Sequence, residues 1–90
     1  MAHGFIQKDV FARVEKIIHA QIGSDSALSS ETNLQDDLGM DSLELVELGM
    51  ELEHSFGVEL PDADMRRCVT VGDLVQLVCS VEPEEKVGSV

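Results

Sequence analysis

The sequence has no Trp, no Tyr and only three Phe. A core built from it must therefore be aliphatic. It has two Cys, Cys68 and Cys79. They are too few and wrongly spaced for a disulfide scaffold or a metal knuckle. No apolar run approaches the roughly 18–20 residues needed to span a bilayer, so membrane insertion is not expected. No secretory or transit pattern opens the chain, and a reducing, cytoplasmic setting is the expectation. The most telling absence is of positive charge. Residues 31–65 hold eleven acids and no Lys or Arg, and so supply −11 of a net charge of −12. That block excludes attachment to nucleic acid or anionic membrane through a basic surface. It points to a partner with a positive surface, or to a cation.

What remains is enough for a fold. The chain is 90 residues long and 43% hydrophobic, richer in apolar residues than a disordered acidic tail. One domain, 1–90, is expected, with a core over about residues 5–81 and a frayed tail at 82–90. A domain this small is marginally stable, and concentrated like charge lowers its stability further. There is little room for a deep, rigid active site.

The periodicity is helical. In residues 5–21, Ile6, Val10, Phe11, Val14, Ile17, Ile18 and Gln21 recur at three- and four-residue steps. Gly23 then suits a left-handed cap. Residues 23–40 are rich in Gly, Ser, Asp and Asn and read as a long loop, which in a compact domain is usually functional or disordered. Leu28, Leu34 and Leu38 are expected to pin it, with a short turn near Asp36-Asp37. Residues 41–56 form the clearest helix, with Asp41 as N-cap and Glu44 completing a capping box. Leu45, Leu48, Gly49, Leu52 and Phe56 share one face. Residues 58–61 read as extended and 62–68 as a short helix. Thr70 caps a last helix, with Asp73 at the capping-box position, a Val71, Leu74, Val75, Val78 stripe, and Pro83 as its stop. The predicted fold is all-α: a small four-helix bundle of three main helices and one short one, with a long first loop.

The junction Leu38-Gly39-Met40-Asp41-Ser42-Leu43 carries the chemistry. It sets a hydroxyl in the first turn of a helix, where free N–H groups and the positive end of the dipole favour a phosphate ester. Gly39 allows a sharp turn into the helix. Ser and Asp are also simply good caps, so the junction alone is weak evidence. No G-x-S-x-G elbow with His and acid partners surrounds Ser42, which argues against a hydrolase. His3, His19 and His54 have no metal-ligand spacing, and no metal site is expected. At most the clustered carboxylates would attract Ca²⁺ or Mg²⁺ weakly.

LGMDSLELVELGMELEHSFGVELPD resembles the core of an acyl carrier protein. L-G-x-D-S-L opening an acidic helix, the Phe and Gly that end it, and the following L-P-D stand in that family's order. The resemblance covers roughly residues 5–81. It implies a carrier and not an enzyme. Ser42, flanked by Asp41 and Leu43, would take a 4′-phosphopantetheine arm from coenzyme A through a phosphopantetheinyl transferase. The thiol of that arm would hold acyl groups for fatty-acid, polyketide or other specialised lipid biosynthesis.

The resemblance also gives the acidic helix a role. Glu44, Glu47 and Glu51 sit three and four apart and repel, at about 0.2–0.5 kcal/mol per pair in an isolated helix. The bland reading is a solvated acidic face. The functional one is a docking surface of Asp36, Asp37, Glu44, Val46, Glu47, Met50 and Glu51, with Leu43. It would meet basic patches on the transferase and on acyl-loading, condensing and other acyl-processing enzymes. The implied acyl pocket draws on Leu45, Leu48, Gly49, Leu52, Phe56, Val71, Leu74 and Val75, whose default role is core. Gly49 either enlarges that pocket or permits close helix packing. Arg66 and Arg67, and the SDSALSSET loop, depart from the usual pattern and suggest a dedicated pathway. A peptidyl, aryl or D-alanyl carrier is the near alternative. An unmodified acidic module that binds a basic protein is the distant one. A monomer is expected.

Overall fold

A computed structural model describes residues 6–81. The expected start of the first helix at Phe5, the tail at 82–90 and His3 lie outside the described residues. Helix α1 spans Gln7–Ile22 and ends on Gly23 in the left-handed region at φ 70°. Val10, Val14 and Ile18, one turn apart, are its buried line, while Phe11 and Ile17 pack partly against the core. Ile6 does not join them. It is 64% exposed, because it is the extended N-cap residue and lies before the first turn. Periodicity alone cannot register where a stripe outruns its helix.

Helix α2 spans Ser42–Phe56. Its N-terminus is fixed by the full capping box: Glu44 N–H donates to Asp41 Oδ1 at 2.9 Å, and Asp41 N–H donates to Glu44 Oε1 at 3.2 Å. Such a cap contributes about 1 kcal/mol. Leu45, Leu48, Gly49, Leu52 and Phe56 are buried, as their spacing predicts. The chain leaves through Gly57 at φ 67°. Val58 and Leu60 alternate inward along the extended segment, and Glu53 Oε2 accepts from Leu60 N–H at 2.7 Å. Helix α3, Asp62–Arg67, buries Met65. Helix α4, Val71–Ser80, starts at a second capping box between Thr70 and Asp73 and buries Val71, Leu74, Val75 and Val78.

Helix α1 packs on both α4 and α2, and α2 packs on α3. Arg13 stacks over the Phe56 ring at 4.6 Å and donates to Ser55 O at 3.3 Å, holding the end of α2 against the middle of α1. A cation–π contact of this kind is worth about 0.5–1 kcal/mol at an exposed site.

The segment between α1 and α2 is long but ordered by its own polar groups. Asn33 Oδ1 accepts from Gln35 and Asp36 N–H, and Asn33 N–H donates to Asp37 Oδ2 at 2.8 Å. Backbone bonds from Asp37 and Leu38 N–H to Asn33 O close the short turn. Leu34 is fully buried, and Leu28 and Leu38 partly so. The segment is also stitched to the start of α4. Leu34 N–H donates to Val69 O at 2.9 Å, Val71 N–H to Thr32 O at 3.0 Å and Gly72 N–H to Ser30 O at 2.9 Å. Gly72 is required there, since a Cβ would lie 2.8 Å from Ser30 O.

Candidate functional site

Two helix N-termini lie at the same end of the bundle, and they differ. At α4 the first N–H groups are spent on carbonyls of the segment between α1 and α2. At α2 they are not. Leu34 O accepts from Met40 N–H at 3.0 Å, and Met40 is buried beneath the junction. Gly39, at φ 69°, turns the chain outward. Asp41 then spends its side chain on Glu44 N–H, the third residue of the helix. Among the described residues, the N–H groups of Ser42 and Leu43 and the Ser42 hydroxyl have no hydrogen-bond partner. Ser42 itself is exposed. A hydroxyl in the first turn, beside two free amides at the positive end of a helix, is a seat suited to a phosphodiester.

The expected docking residues divide in the structure. Leu43 and Met50 are 66% and 54% exposed. Glu47 and Glu51 are exposed and Val46 is half-buried. Glu44 is half-buried, and its carboxylate is held by the Asp41 amide, so its first task is the cap. Asp36 and Asp37 are exposed on the turn before the junction, with Asp37 tied to Asn33 N–H. Sequence reasoning did not anticipate the contribution of α1. Gln21 Nε2 donates to Glu44 O at 2.9 Å. Ile17, Ala20 and Gln21 form one wall of an open groove of about 680 Å³, and Glu47, Met50, Glu51 and His54 form the other. No local signal in α1 announces this, because the groove exists only once the helices pack.

The residues suggested for an acyl pocket, Leu45, Leu48, Gly49, Leu52, Phe56, Val71, Leu74 and Val75, are all buried together. The space beside Gly49 is filled. A Cβ there would lie 3.0 Å from Met65 Cγ and 3.4 Å from its Sδ and Cε. Cys68 is buried just after α3, with its Sγ donating to Asp64 O, and burial pushes the thiol up to about 11. Asp73 is held below its ordinary value by hydrogen bonds from the Val69 and Thr70 amides. Among the described residues no group of three His, Cys, Asp or Glu converges as a metal site requires, and no helix is long and apolar enough to cross a membrane.

Comparison with known proteins places this geometry. Residues 9–78 match the family described as the phosphopantetheine attachment site. The chain is similar to an acyl carrier protein of Thermotoga maritima, 42% identical over 83 residues, covering 91% of this chain and 96% of the relative. Among solved structures it resembles a Mycobacterium tuberculosis protein assigned as an acyl carrier protein. The TM-score is 0.73 at 32% identity, over 77% of this chain and 93% of that one. It also resembles the acyl carrier protein of Enterococcus faecalis, with a TM-score of 0.70 at 32% identity, over 84% of this chain and 98% of that one.

Proposed function

The chain belongs to the acyl carrier proteins, phosphopantetheine-bearing carriers and not enzymes, and on that premise we propose that Ser42 is the residue that bears the group. The observation that carries the assignment is the open N-terminus of α2. Ser42 stands exposed there beside two unspent amides, while the neighbouring α4 terminus is closed by loop carbonyls. Ser42 Oγ gives its proton to a base that the transferase supplies and attacks the pantetheine-side phosphorus of coenzyme A; the P–O–P bond breaks and the adenosine bisphosphate half leaves. Asp41 and Glu44 hold the first turn rigid so that the hydroxyl is presented at a fixed angle. The Ser42 and Leu43 amides face the phosphodiester once it forms. When attached, the group supplies a terminal thiol on which an acyl chain rides as a thioester.

Glu47, Glu51, Leu43, Val46 and Met50 form the surface that partner enzymes dock on. Acidic groups accelerate encounter with basic patches without demanding tight binding, which suits a carrier that must visit and leave. Met50 adapts its shape to different partners. The partners are the transferase and acyl-loading, condensing and processing enzymes of fatty-acid, polyketide or related specialised lipid synthesis. The carrier acts as a monomer. Its two cysteines, Cys68 buried and Cys79 half-buried, are not joined in a disulfide, which fits a reducing cytoplasm. The acyl chain enters between α2, α3 and α4 by displacing the Met65 side chain from the Gly49 notch.

Intact-mass measurement after incubation with coenzyme A and a broad-specificity phosphopantetheinyl transferase tests the central assignment. One phosphopantetheine group should be added to the chain and none to Ser42→Ala. An unmodified wild-type chain, or a modified Ser42→Ala, would refute it.

A further inference from the structure

The acidic block of residues 31–65, which holds no Lys or Arg, ends abruptly at Arg66-Arg67. Both arginines are exposed. Among the described residues neither has an ion-pair partner, the one pair present being His19–Glu15. Their place in the fold gives them a context. Helix α3 starts beside the far end of α2, where Glu53 holds the Leu60 amide. It runs back toward the start of α2. Met65 sits against Gly49, and the chain beyond reaches Val69, whose carbonyl binds Leu34, whose carbonyl in turn binds Met40. The arginine end of α3 is therefore the Ser42 end of the bundle. Asp62, which could offset it, lies at the other end of α3, and Asp64 is half-buried.

The angular order on α2 completes the arrangement. Residues turn about 100° per step. Ser42 is seven residues before Gly49 and lies on nearly the same line, the one that faces α3. Glu47 and Glu51 lie on the opposite edge, lining the groove with α1. Val46, Met50 and Leu43 occupy the arc between. Crossing the exposed face from α1 to α3, one meets acids, then an apolar band, then the Ser42 line, then two free arginines. Val69, 54% exposed, extends the apolar surface at the α3 end.

We propose that α2 and the end of α3 form a single docking face with a charge polarity across it. The partner it fits is an enzyme surface with basic residues opposite Glu47 and Glu51, an apolar centre, and acidic residues opposite Arg66 and Arg67. This deepens the docking role proposed for α2 and rests on it. The polarity does two things. It fixes the rotation of the partner about α2, so that its active-site mouth meets Ser42. It also turns away enzymes whose patch is basic throughout, since like charges set against one another discriminate as effectively as attraction does.

The test uses the full chain, isotopically labelled, and two helical peptides with the same apolar stripe. One carries Lys along both edges. The other carries Lys along one edge and Glu along the other. Affinities come from amide shift titrations at low ionic strength. The wild-type chain should bind the bipolar peptide about fivefold tighter, the effect of two exposed charge pairs, with shifted amides on both α2 and α3. The preference should vanish in R66Q/R67Q and invert in R66E/R67E, both substitutions lying on the surface. Equal affinities in the wild type, no binding of the bipolar peptide, or a preference that survives in R66Q/R67Q would overturn the proposal. E47K/E51K separates it from its premise. If both peptides bind that variant as well as they bind the wild type, the docking role of α2 is itself wrong.

Discussion

Replacing Gly49 by Val should destabilise the chain, but the same replacement should be stabilising once Met65 is truncated. The added Cβ would stand 3.0 Å from Met65 Cγ, closer than two such atoms sit at rest, and Met65 is fully buried. The two γ-methyls of Val push further into that contact. Overpacking of this kind costs about 1–3 kcal/mol, offset by roughly 0.5 kcal/mol of helix propensity gained on leaving Gly, for a net loss of about 0.5–2.5 kcal/mol. Met65→Ala alone should cost about 2–5 kcal/mol, since it empties a closed site. In the double variant the overpacking disappears and the valine side chain occupies part of the void. At about 24 cal/mol per Å³, refilling some 50 Å³ returns about 1 kcal/mol. The Gly49→Val substitution thus changes from harmful to helpful, a coupling of about 2 kcal/mol or more. Urea melts of the four proteins, followed by circular dichroism, measure it. In thermal melts each kcal/mol appears as about 4–8 °C. If the two effects add to within about 0.5 kcal/mol, Met65 does not fill the Gly49 notch, and close packing of α3 on α2 needs another explanation.

Three further outcomes follow from other contacts. Gly72→Ala should destabilise by about 1 kcal/mol although Ala is the better helix former, because the new methyl displaces Ser30 O and breaks its bond to residue 72; hydrogen exchange at residues 71 and 72 should quicken with it. Asp73, with a folded pKa below the ordinary 3.8, contributes stability that is complete above that value and is lost as pH falls through the folded pKa; the stability gap between wild type and Asp73→Asn should therefore close on acidification below about pH 4. Cys68, whose thiol is pushed up to about 11 chiefly by burial, should resist iodoacetamide at pH 8 in the native chain while Cys79 reacts, and urea should bring the two rates together.

The parts of this structure written in local chemistry could be read from the sequence. Both capping boxes, the buried lines of α1, α2 and α4, and the terminating glycines 23 and 57 stand where spacing and residue type put them. Each depends on residues within a turn of one another. Met40, Val58, Leu60 and Met65 were not anticipated as core, and all are buried. They lie in irregular or very short segments, where no period distinguishes an inward side chain from an outward one. The same limit applies at the site. Ser42 could be singled out from its junction, because cap and hydroxyl are neighbours in sequence. That its amides stay free while those of α4 are taken depends on carbonyls from residues 30 and 32, which no pattern around residue 71 foretells.

The stitching of the first loop to α4 has a consequence for how the fold can be rebuilt. The chain departs at Leu34 and returns at Val69, and those two residues are hydrogen-bonded to each other. Everything between them, including Ser42, α2 and α3, is a cassette whose two ends meet at one point. Helices α1 and α4, which pack on each other, remain outside it as a frame. Residues 35–68 can thus be exchanged for the same span of a relative without moving the points where the chain joins, provided the inward Leu45, Leu48 and Leu52 are kept. The graft would carry Ser42, the acidic band and the arginine edge together, along with the core residues Met40, Leu45, Leu48, Leu52 and Met65, while Val10, Val14, Ile18 and the buried line of α4 stayed with the frame.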